Sequence, residues 1–302
     1  MPHFCKYLQR ALILTETTMS KIVVFAGMAI LSTLSASPQS TTRPTYMERA
    51  AVEHKGPTVE ITSNDANPLA QAIQGLREEY GWRVNYEGAP LYSQFDVVDD
   101  TDPKSREAHP GERGVTRPVG GKFTTTLTEI TDPTRTEGVE AALTKLVEDY
   151  NRSPNPGRYV LRRDTDGQLT IIGIRVRDDS GGYQTIVPVL DTPIIVSKQR
   201  RTVYEAVHAI TDALSRKVGT QVILMSFPNN EFDKEVTLGG EETPARDLLK
   251  QAFSATNRPT LYDLGYDADV PVYGLNVSVA MKAHNDGAGH RKLVAIDSPL
   301  NR

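Results

Sequence analysis

Two histidines near the C-terminus enclose a glycine-rich loop and are the first candidates for chemistry. His284 and His290 lie on either side of the sequence NDGAG, which contains Asp286. Imidazole nitrogens and carboxylates are ligands that zinc accepts. This spacing matches no closed zinc site, and no cysteine lies nearby to complete one. We therefore interpret the loop as a solvated turn and predict no metal site and no cofactor.

A run of acidic residues is the second candidate. Asp96, Asp99, Asp100 and Asp102 supply oxygen ligands suited to calcium. A calcium loop also needs ligands at alternate positions, a glycine turn and a distal acid, and these are missing. We interpret the run as a solvated acidic loop within the polar segment 96–121. A segment of this length inside a domain is functional or disordered, and its composition favours a disordered insertion over a binding loop.

Arrangements typical of nucleophilic catalysis are missing from the sequence. A serine, threonine or cysteine nucleophile needs a neighbouring base, yet neither Gly-x-Ser-x-Gly nor Ser-x-x-Lys occurs. His208 borders the apolar stripe of a predicted helix without a second motif. The adjacent glutamates at 78–79 and 241–242 do not converge across a cleft as glycosidase carboxylates must. The sequence therefore predicts a protein that is not an enzyme.

Composition narrows the class of partner. The chain has 302 residues, a formal net charge of -4 and 38% hydrophobic residues. Folded domains are expected, and the acidic balance gives no general attraction for nucleic acid. Lys198, Arg200 and Arg201 form a compact basic group before a predicted helix. This group either contacts an anionic glycan or lipid headgroup, or forms a solvated face.

The N-terminus has the pattern of an export sequence. Lys21 precedes the apolar run 22–34, and small residues follow at 35–37. The run is shorter than the roughly 20 residues that a membrane-spanning helix needs. We predict a signal peptide over 1–37, with Met19 as an alternative start, and a periplasmic or secreted protein that does not span the membrane after cleavage.

Cysteine usage agrees with that compartment. Cys5 is the sole cysteine and lies inside the predicted signal peptide. The mature chain would have no disulfide, no thiolate metal ligand and no cysteine nucleophile. An exported protein without cysteines fits a bacterial periplasm better than a small disulfide scaffold.

Strand–helix–strand patterns recur after a predicted linker at 38–57. In the first, strand 58–62 precedes Asn67 as a helix N-cap and Pro68 at the first helical position. A one-sided apolar helix and the return strand 82–86 follow. The helical stripe consists of Leu69, Ile73, Leu76 and Tyr80.

The second and third patterns have matching helix starts. Thr134 with Glu137, and Thr202 with Glu205, have the spacing of capping boxes. Strand 122–130 precedes the first box, and Asp166-Gly167 predicts a hairpin after its helix. Strand 193–197 precedes the second box.

The fourth pattern is VTLGGEETPARDLLKQAF, residues 236–253. A short strand and a glycine pair lead to Thr243 as the predicted N-cap and Pro244 as the first helical residue. A closing hairpin follows, with 265–271 as its loop.

Together the patterns predict an α+β fold built from tandem βαβ/βαββ modules, in which amphipathic helices cover small mixed sheets. The first unit is predicted over 58–191 with the insertion 96–121, the second over 192–283, and a C-terminal tail over 284–302.

The fourth pattern, followed by YGLNVSV, resembles the short N-terminal domain of secretins and TonB-dependent receptors. Weaker versions lie at 59–86 and 194–224, so the resemblance covers about half of the mature chain. It implies a periplasmic location and contact with other proteins, and it supplies no catalytic residues. The matching residues are Gly239, Gly240, Thr243, Leu248, Leu249 and Phe253.

We therefore expect a non-enzymatic interaction module of the bacterial cell envelope, associated with a secretion or uptake system. Exposed strand edges are natural docking sites for another envelope protein. One alternative is a carbohydrate- or peptidoglycan-binding module, which burial of Trp82 and Tyr86 would weaken. Another is an enzyme that uses 96–121 as a lid. Candidate contact residues on hairpins, for which core packing is an equal alternative, are Tyr183, Tyr262, Tyr266 and Tyr273.

Overall fold

The computed structural model describes residues 49–112, 114–129, 136–286 and 290–296. The predicted signal peptide, most of the predicted linker and Thr134 lie outside these residues. The described part is a mixed α+β structure, in which helices pack on several small sheets. None of its helices is long and apolar enough to cross a membrane.

The elements fall into two halves. In the first half they are β1 (Ala51–Lys55), β2 (Thr58–Asn64), α1 (Pro68–Tyr80), β3 (Val84–Glu87), β4 (Val97–Asp99), α2 (Pro103–Ala108), β5 (Thr116–Pro118), β6 (Lys122–Thr128), α3 (Thr136–Arg152), β7 (Arg158–Arg163), β8 (Leu169–Arg177) and β9 (Tyr183–Thr185). After a 3₁₀ turn at Val189–Asp191, the second half contains β10 (Pro193–Thr202), α4 (Val203–Val218), β11 (Gln221–Ser226), α5 (Asn229–Phe232), β12 (Glu235–Pro244), α6 (Ala245–Phe253), β13 (Thr260–Asp267), β14 (Val272–Val279), β15 (Met281–Asn285) and β16 (Arg291–Ala295).

One module occurs twice. Its order is β2-α1-β3-β6-α3-β7-β8 in the first half and β10-α4-β11-β12-α6-β13-β14 in the second. The outer strands pair antiparallel, as β2 with β6 and β10 with β12. The return strands β3 and β11 run parallel to the last hairpin strands, β8 and β14. The hairpins β7–β8 and β13–β14 close each module.

The two modules share one sheet, in the order β11-β14-β13-β3-β8-β7, with β9 also paired to β8. They meet where β13 runs parallel to β3, with Asp263 opposite Tyr86 and Leu264 opposite Glu87. Paired residues point to the same face of a sheet. Tyr86 belongs to the core of the first module and Leu264 to that of the second. The two cores therefore lie on opposite faces of the shared sheet.

The predicted helix starts have mixed outcomes. The capping box of Thr202 and Glu205 is confirmed. Asn67 occupies the N-cap of α1 before Pro68, but its side chain makes no capping hydrogen bond. The prediction for α6 is wrong by one residue, because Pro244 is its N-cap and Thr243 lies in β12.

β12 is longer than the short strand predicted before Gly239, and its length depends on the glycine pair. The strand continues through Gly239 and Gly240 and pairs with β10 through two register shifts. A Cβ at Gly239 would overlap the backbone of Lys198, so only glycine permits this close approach.

Two predicted loops are partly strand. The loop predicted at 265–271 is shorter, because β13 continues to Asp267 and β14 begins at Val272. Part of the interval predicted as a C-terminal tail forms the hairpin β15–β16, which packs on α1. Ile296 lies close to Gly81 at the end of that helix.

The insertion 96–121 carries β4, α2 and β5. The interpretation of its acidic run as solvated is wrong for Asp96. That residue is fully buried and accepts the backbone N–H of Arg177 at 3.0 Å. Asp102 caps α2 by accepting the backbone N–H groups of Lys104 and Ser105.

The predicted stripe residues Leu69, Ile73 and Leu76 are buried, as are Trp82 (3% exposed) and Tyr86 (7%). Burial of these two aromatics weakens a glycan site built on their faces.

Replacing Leu249 with Ala tests whether α6 belongs to the core. Leu249 is 0% exposed, so the substitution leaves a cavity and should lower the free energy of unfolding by about 2–5 kcal/mol. Gln251 lies exposed on the same helix, and Gln251→Ala should change it by less than about 0.5 kcal/mol. Urea unfolding followed by circular dichroism measures both. Equal effects of the two substitutions would place this helix face in solvent.

Candidate functional site

Strand β11 lies at the end of the shared sheet and has β14 as its one described neighbour. Val222 and Leu224 pack into the second core, whereas Ile223 (40% exposed) and Met225 (61%) do not. Phe227 (36%), just after the strand, stacks on the core residue Phe232 and is partly exposed. An end strand presents N–H and C=O groups along its outer side that no neighbouring strand pairs with. β11 and these three exposed side chains, which we call the β11 edge, therefore form an apolar strand edge accessible to another chain.

The joint between the modules shows how such an edge is completed. β3 is the counterpart of β11 in the first module, and β13 lies parallel beside it. Gly88 N–H donates to the carbonyl of Leu264 at 2.8 Å. Tyr262 N–H donates to the side-chain oxygen of Asn85 at 3.1 Å. A return strand of this module can therefore accept a second strand in parallel.

A buried ion pair crosses the joint on the face of the second core. Arg246, on α6, forms a two-pronged pair with Glu87 at the end of β3, and its Nη2 lies 3.0 Å from Oε2. Tyr262 donates its hydroxyl to Glu87 at 2.7 Å. Asp191 joins Arg246 at 2.8 Å and Arg162 at 2.8 and 2.9 Å. Two arginines and two carboxylates from both modules thus form one network.

Burial dominates the electrostatics of this network. It raises the pKa of Glu87, and the charge of Arg246 opposes that shift. Burial also raises the pKa of Tyr262 well above its usual value, so the phenol stays neutral and acts as a hydrogen-bond donor. The pKa of Asp191 is lowered because the hydrogen bond from Arg162 and the charge of Arg246 together outweigh burial, the largest single influence.

A second arginine crosses the joint on the opposite face. Arg77, on α1, donates to the carbonyl of Val84 at 2.6 and 2.9 Å and to the carboxylate of Asp263 at 2.7 and 2.8 Å. Arg77 is 5% exposed, so its hydrogen bonds are shielded from water. Each face of the joint therefore has one arginine that reaches from a helix of one module to a strand of the other.

A cleft of about 720 Å³ opens beside this second pair. Its walls are α1 and the outer face of β13, and its floor includes Tyr86 and Tyr159. The inserted segment forms its roof through β5. The backbone N–H of Thr116 donates to the Asp269 carboxylate at 2.8 and 3.0 Å, and its hydroxyl does so at 2.6 Å. These bonds fasten the roof to the turn between β13 and β14.

The tyrosines singled out in the sequence occupy different environments. Tyr262 is 1% exposed and belongs to the second core. Tyr266 and Tyr273 are half-buried cross-strand partners with ring centroids 4.9 Å apart. Burial, followed by the neighbouring tyrosines, raises the pKa of Tyr273 to about 12. Tyr183 lies under the guanidinium of Arg158, 4.4 Å from the ring centroid.

The basic group Lys198, Arg200 and Arg201 lies on β10, away from the β11 edge in sequence and in strand pairing. Arg200 forms an ion pair with Glu235 on β12, and Arg201 donates to the carbonyl of Ser197. Part of this group is therefore occupied within its own two-stranded sheet.

The histidines do not converge on one another. His208 lies on α4 beside Tyr204, with ring centroids 4.4 Å apart. His284 lies on β15, and His290 contacts Asp286 at 3.2 Å, while residues 287–289 fall outside the described part. Within the described ranges, no group of three or more His, Cys, Asp or Glu side chains is arranged to hold a metal ion.

No family model, curated protein or solved structure matches this chain. The geometry of the β11 edge, the joint and the cleft therefore carries the functional argument. Sequence reasoning missed the joint, since Arg246 and Glu87 lie 159 residues apart. One feature pointed to it, because Arg246 interrupts an otherwise apolar helix face that also contains Leu249 and Ala252.

Removing Arg246 tests the buried network. Arg246→Leu leaves the buried Glu87 without its cation and should lower the free energy of unfolding by about 3–5 kcal/mol. The double variant Arg246→Leu/Glu87→Met removes both charges and should recover a large part of that loss. Arg200→Leu breaks an exposed pair and should change stability by no more than about 1 kcal/mol. Urea unfolding curves of the three variants provide the measurement. An Arg246→Leu effect as small as that of Arg200→Leu would contradict a structural role for the pair.

Proposed function

We propose that the protein is an exported, non-enzymatic interaction module of the bacterial cell envelope, which binds another envelope protein of a secretion or uptake system. The observation that carries the proposal is the β11 edge, an apolar strand edge whose counterpart β3 accepts a parallel strand within the same chain.

The proposed mode of binding is strand addition. The backbone of a partner strand would pair with the outer side of β11, as β13 lies beside β3. Backbone hydrogen bonds supply affinity in such complexes, and side chains at alternate positions supply specificity. Ile223 and Met225 lie two residues apart on the strand and present apolar surface. The partner is therefore an extended segment with apolar residues at alternate positions.

The location and the absence of catalysis rest on the sequence. The apolar run 22–34 with its small-residue end supports export. The lack of a recognisable nucleophile–base motif supports a binding role. The resemblance of residues 236–253 to the short domain of secretins and TonB-dependent receptors supports a partner in the envelope.

Lysine substitutions on the β11 edge test this function. The full chain, tagged and expressed in its exported form, is cross-linked in cells, and bound envelope proteins are identified by mass spectrometry. Ile223→Lys and Met225→Lys place charge on the edge and should each reduce partner recovery at least tenfold, because a buried charge without a partner opposes association. Ile195→Lys is the matched control, since Ile195 is 61% exposed on β10.

Three results of the cross-linking experiment distinguish the proposal from its alternatives. Recovery of one envelope protein by the unaltered chain and the control, but by neither edge variant, supports the proposal. Recovery that is unchanged in both edge variants contradicts it. Cross-linking of the chain to itself alone would also contradict it, because the occupant of the edge would then be a second copy.

A further inference from the structure

The cleft beneath the inserted segment contains polar groups that the joint does not use. Asn67 holds the N-cap position of α1 without capping it, and its side-chain amide lines the cleft. Gln71 lies one turn further along the same wall. Neither side-chain amide makes a hydrogen bond within the described part of the chain. The side chain of an N-cap asparagine ordinarily accepts a hydrogen bond from the first turn of its helix. Because Asn67 makes no such bond, its amide is available to a ligand, as is that of Gln71.

Asp263 adds a fixed acceptor on the opposite wall. Arg77 holds its carboxylate with two hydrogen bonds, and the carboxylate side chain remains 37% exposed. The ion pair balances the charge of Asp263, and Arg77 is buried and fully engaged. A carboxylate held in this way accepts hydrogen bonds from hydroxyl groups without presenting a net charge.

The floor of the cleft is formed by two phenols. The rings of Tyr86 and Tyr159 stack with centroids 5.8 Å apart, and their hydroxyls lie 3.1 Å from each other. Burial raises the pKa of both residues, so both stay neutral at physiological pH. Leu91, Val97 and Val115 add apolar surface to the lining.

The charges around the cleft disfavour an anionic ligand, because four carboxylates line it beside two arginines. Arg77 is hydrogen-bonded to Asp263, and Nε of Arg117 lies 3.3 Å from the carboxylate of Asp100, so each cation faces a carboxylate of the chain. Asp267 already accepts the backbone N–H groups of Asp269 and Val270. Asp65 and Asp269 likewise accept hydrogen bonds from the chain, so a ligand meets the amides, the carboxylate of Asp263 and apolar surface.

We propose that this cleft binds a short, neutral oligosaccharide. The amides of Asn67 and Gln71 and the carboxylate of Asp263 would bond its hydroxyls, and the C–H faces of the sugar would lie on the apolar lining. The volume of about 720 Å³ lies within the roughly 300–1,000 Å³ typical of small-molecule sites. This site uses the walls of the cleft and not the aromatic faces considered in the sequence, since Trp82 does not line it and Tyr86 is only 7% exposed at its floor.

β5, which lines the cleft, would cover a ligand bound inside it. Thr116 and Asp269 lie 153 residues apart in sequence, yet their three hydrogen bonds hold β5 over the cleft opening. A ligand beneath β5 is shielded from water, which strengthens its hydrogen bonds with the walls. Asp269→Ala removes this fastening without touching the groups that bond the sugar.

Isothermal titration calorimetry with two sugar classes tests the proposal on the purified exported chain. Triacetylchitotriose represents the N-acetylated glycan of the cell wall, and cellotriose represents free neutral oligosaccharides. Binding of either trimer supports the site, and the preferred trimer identifies the source. Gln71→Ala and Asn67→Ala should each weaken binding about three- to tenfold, because each removes one hydrogen-bonding group. Gln251→Ala is the control, since this glutamine is exposed on α6.

Two results would overturn the inference. One is the absence of heat from both trimers at about 10 mM, a concentration that would reveal even a millimolar Kd. The other is binding that Gln71→Ala and Asn67→Ala both leave unchanged, which would place the sugar elsewhere.

Asp269→Ala should speed dissociation of the sugar, measured by NMR line shape. This experiment uses the purified chain and sugar alone, so it does not depend on a cell-envelope partner. Met225→Lys should bind sugar normally, so failure of the β11 proposal and failure of this one are distinguishable.

Discussion

The joint between β13 and β3 is the constraint on which the remaining structure depends. Two residue pairs connect these strands, so backbone pairing alone gives little discrimination of register. The arginines supply it, since Arg246 reaches Glu87 on one face and Arg77 reaches Asp263 on the other. A slip of one residue would move each carboxylate to the wrong face. Desolvation offsets much of the attraction in a buried pair, so we attribute specificity of register, more than net stability, to these contacts.

Both candidate surfaces follow from that register. Because the cores lie on opposite faces, α1 of the first module stands beside the uncovered face of β13, and the cleft is the space between them. The same arrangement leaves β11 at the end of the sheet, with Ile223 and Met225 on the side away from its own core. Two candidate recognition surfaces thus arise from joining one module to another, before any specialised residue is added.

Local features of the fold could be predicted from the sequence, and long-range ones could not. Helical periodicity, the capping box at Thr202 and the hairpin at Asp166-Gly167 depend on neighbours a few residues away, and all three are present. The joint depends on pairs separated by 159 and 186 residues, for which a single sequence carries no periodic pattern. Tyr262 is an example: its position on a hairpin allowed a surface contact, but its side chain packs in the second core against Arg246 and Phe253 of α6.

The two return strands differ in the kind of strand that each edge would suit. Gly81 and Gly219 end α1 and α4 in the same left-handed conformation, which makes Arg77 and Ser215 equivalent. Arg77 bonds the carbonyl of Val84, and the N–H of Val222 correspondingly donates to Ser215 at 2.8 Å. The serine is too short to reach beyond its own strand, so β11 lacks the cation that β3 offers to Asp263. β11 also carries Ile223 and Met225 where β3 carries Asn85 and Glu87. A strand such as β13, whose Asp263 needs an arginine, would leave that carboxylate unpaired beside β11. The outer edge is therefore suited to an apolar strand and selects against another copy of the internal joint.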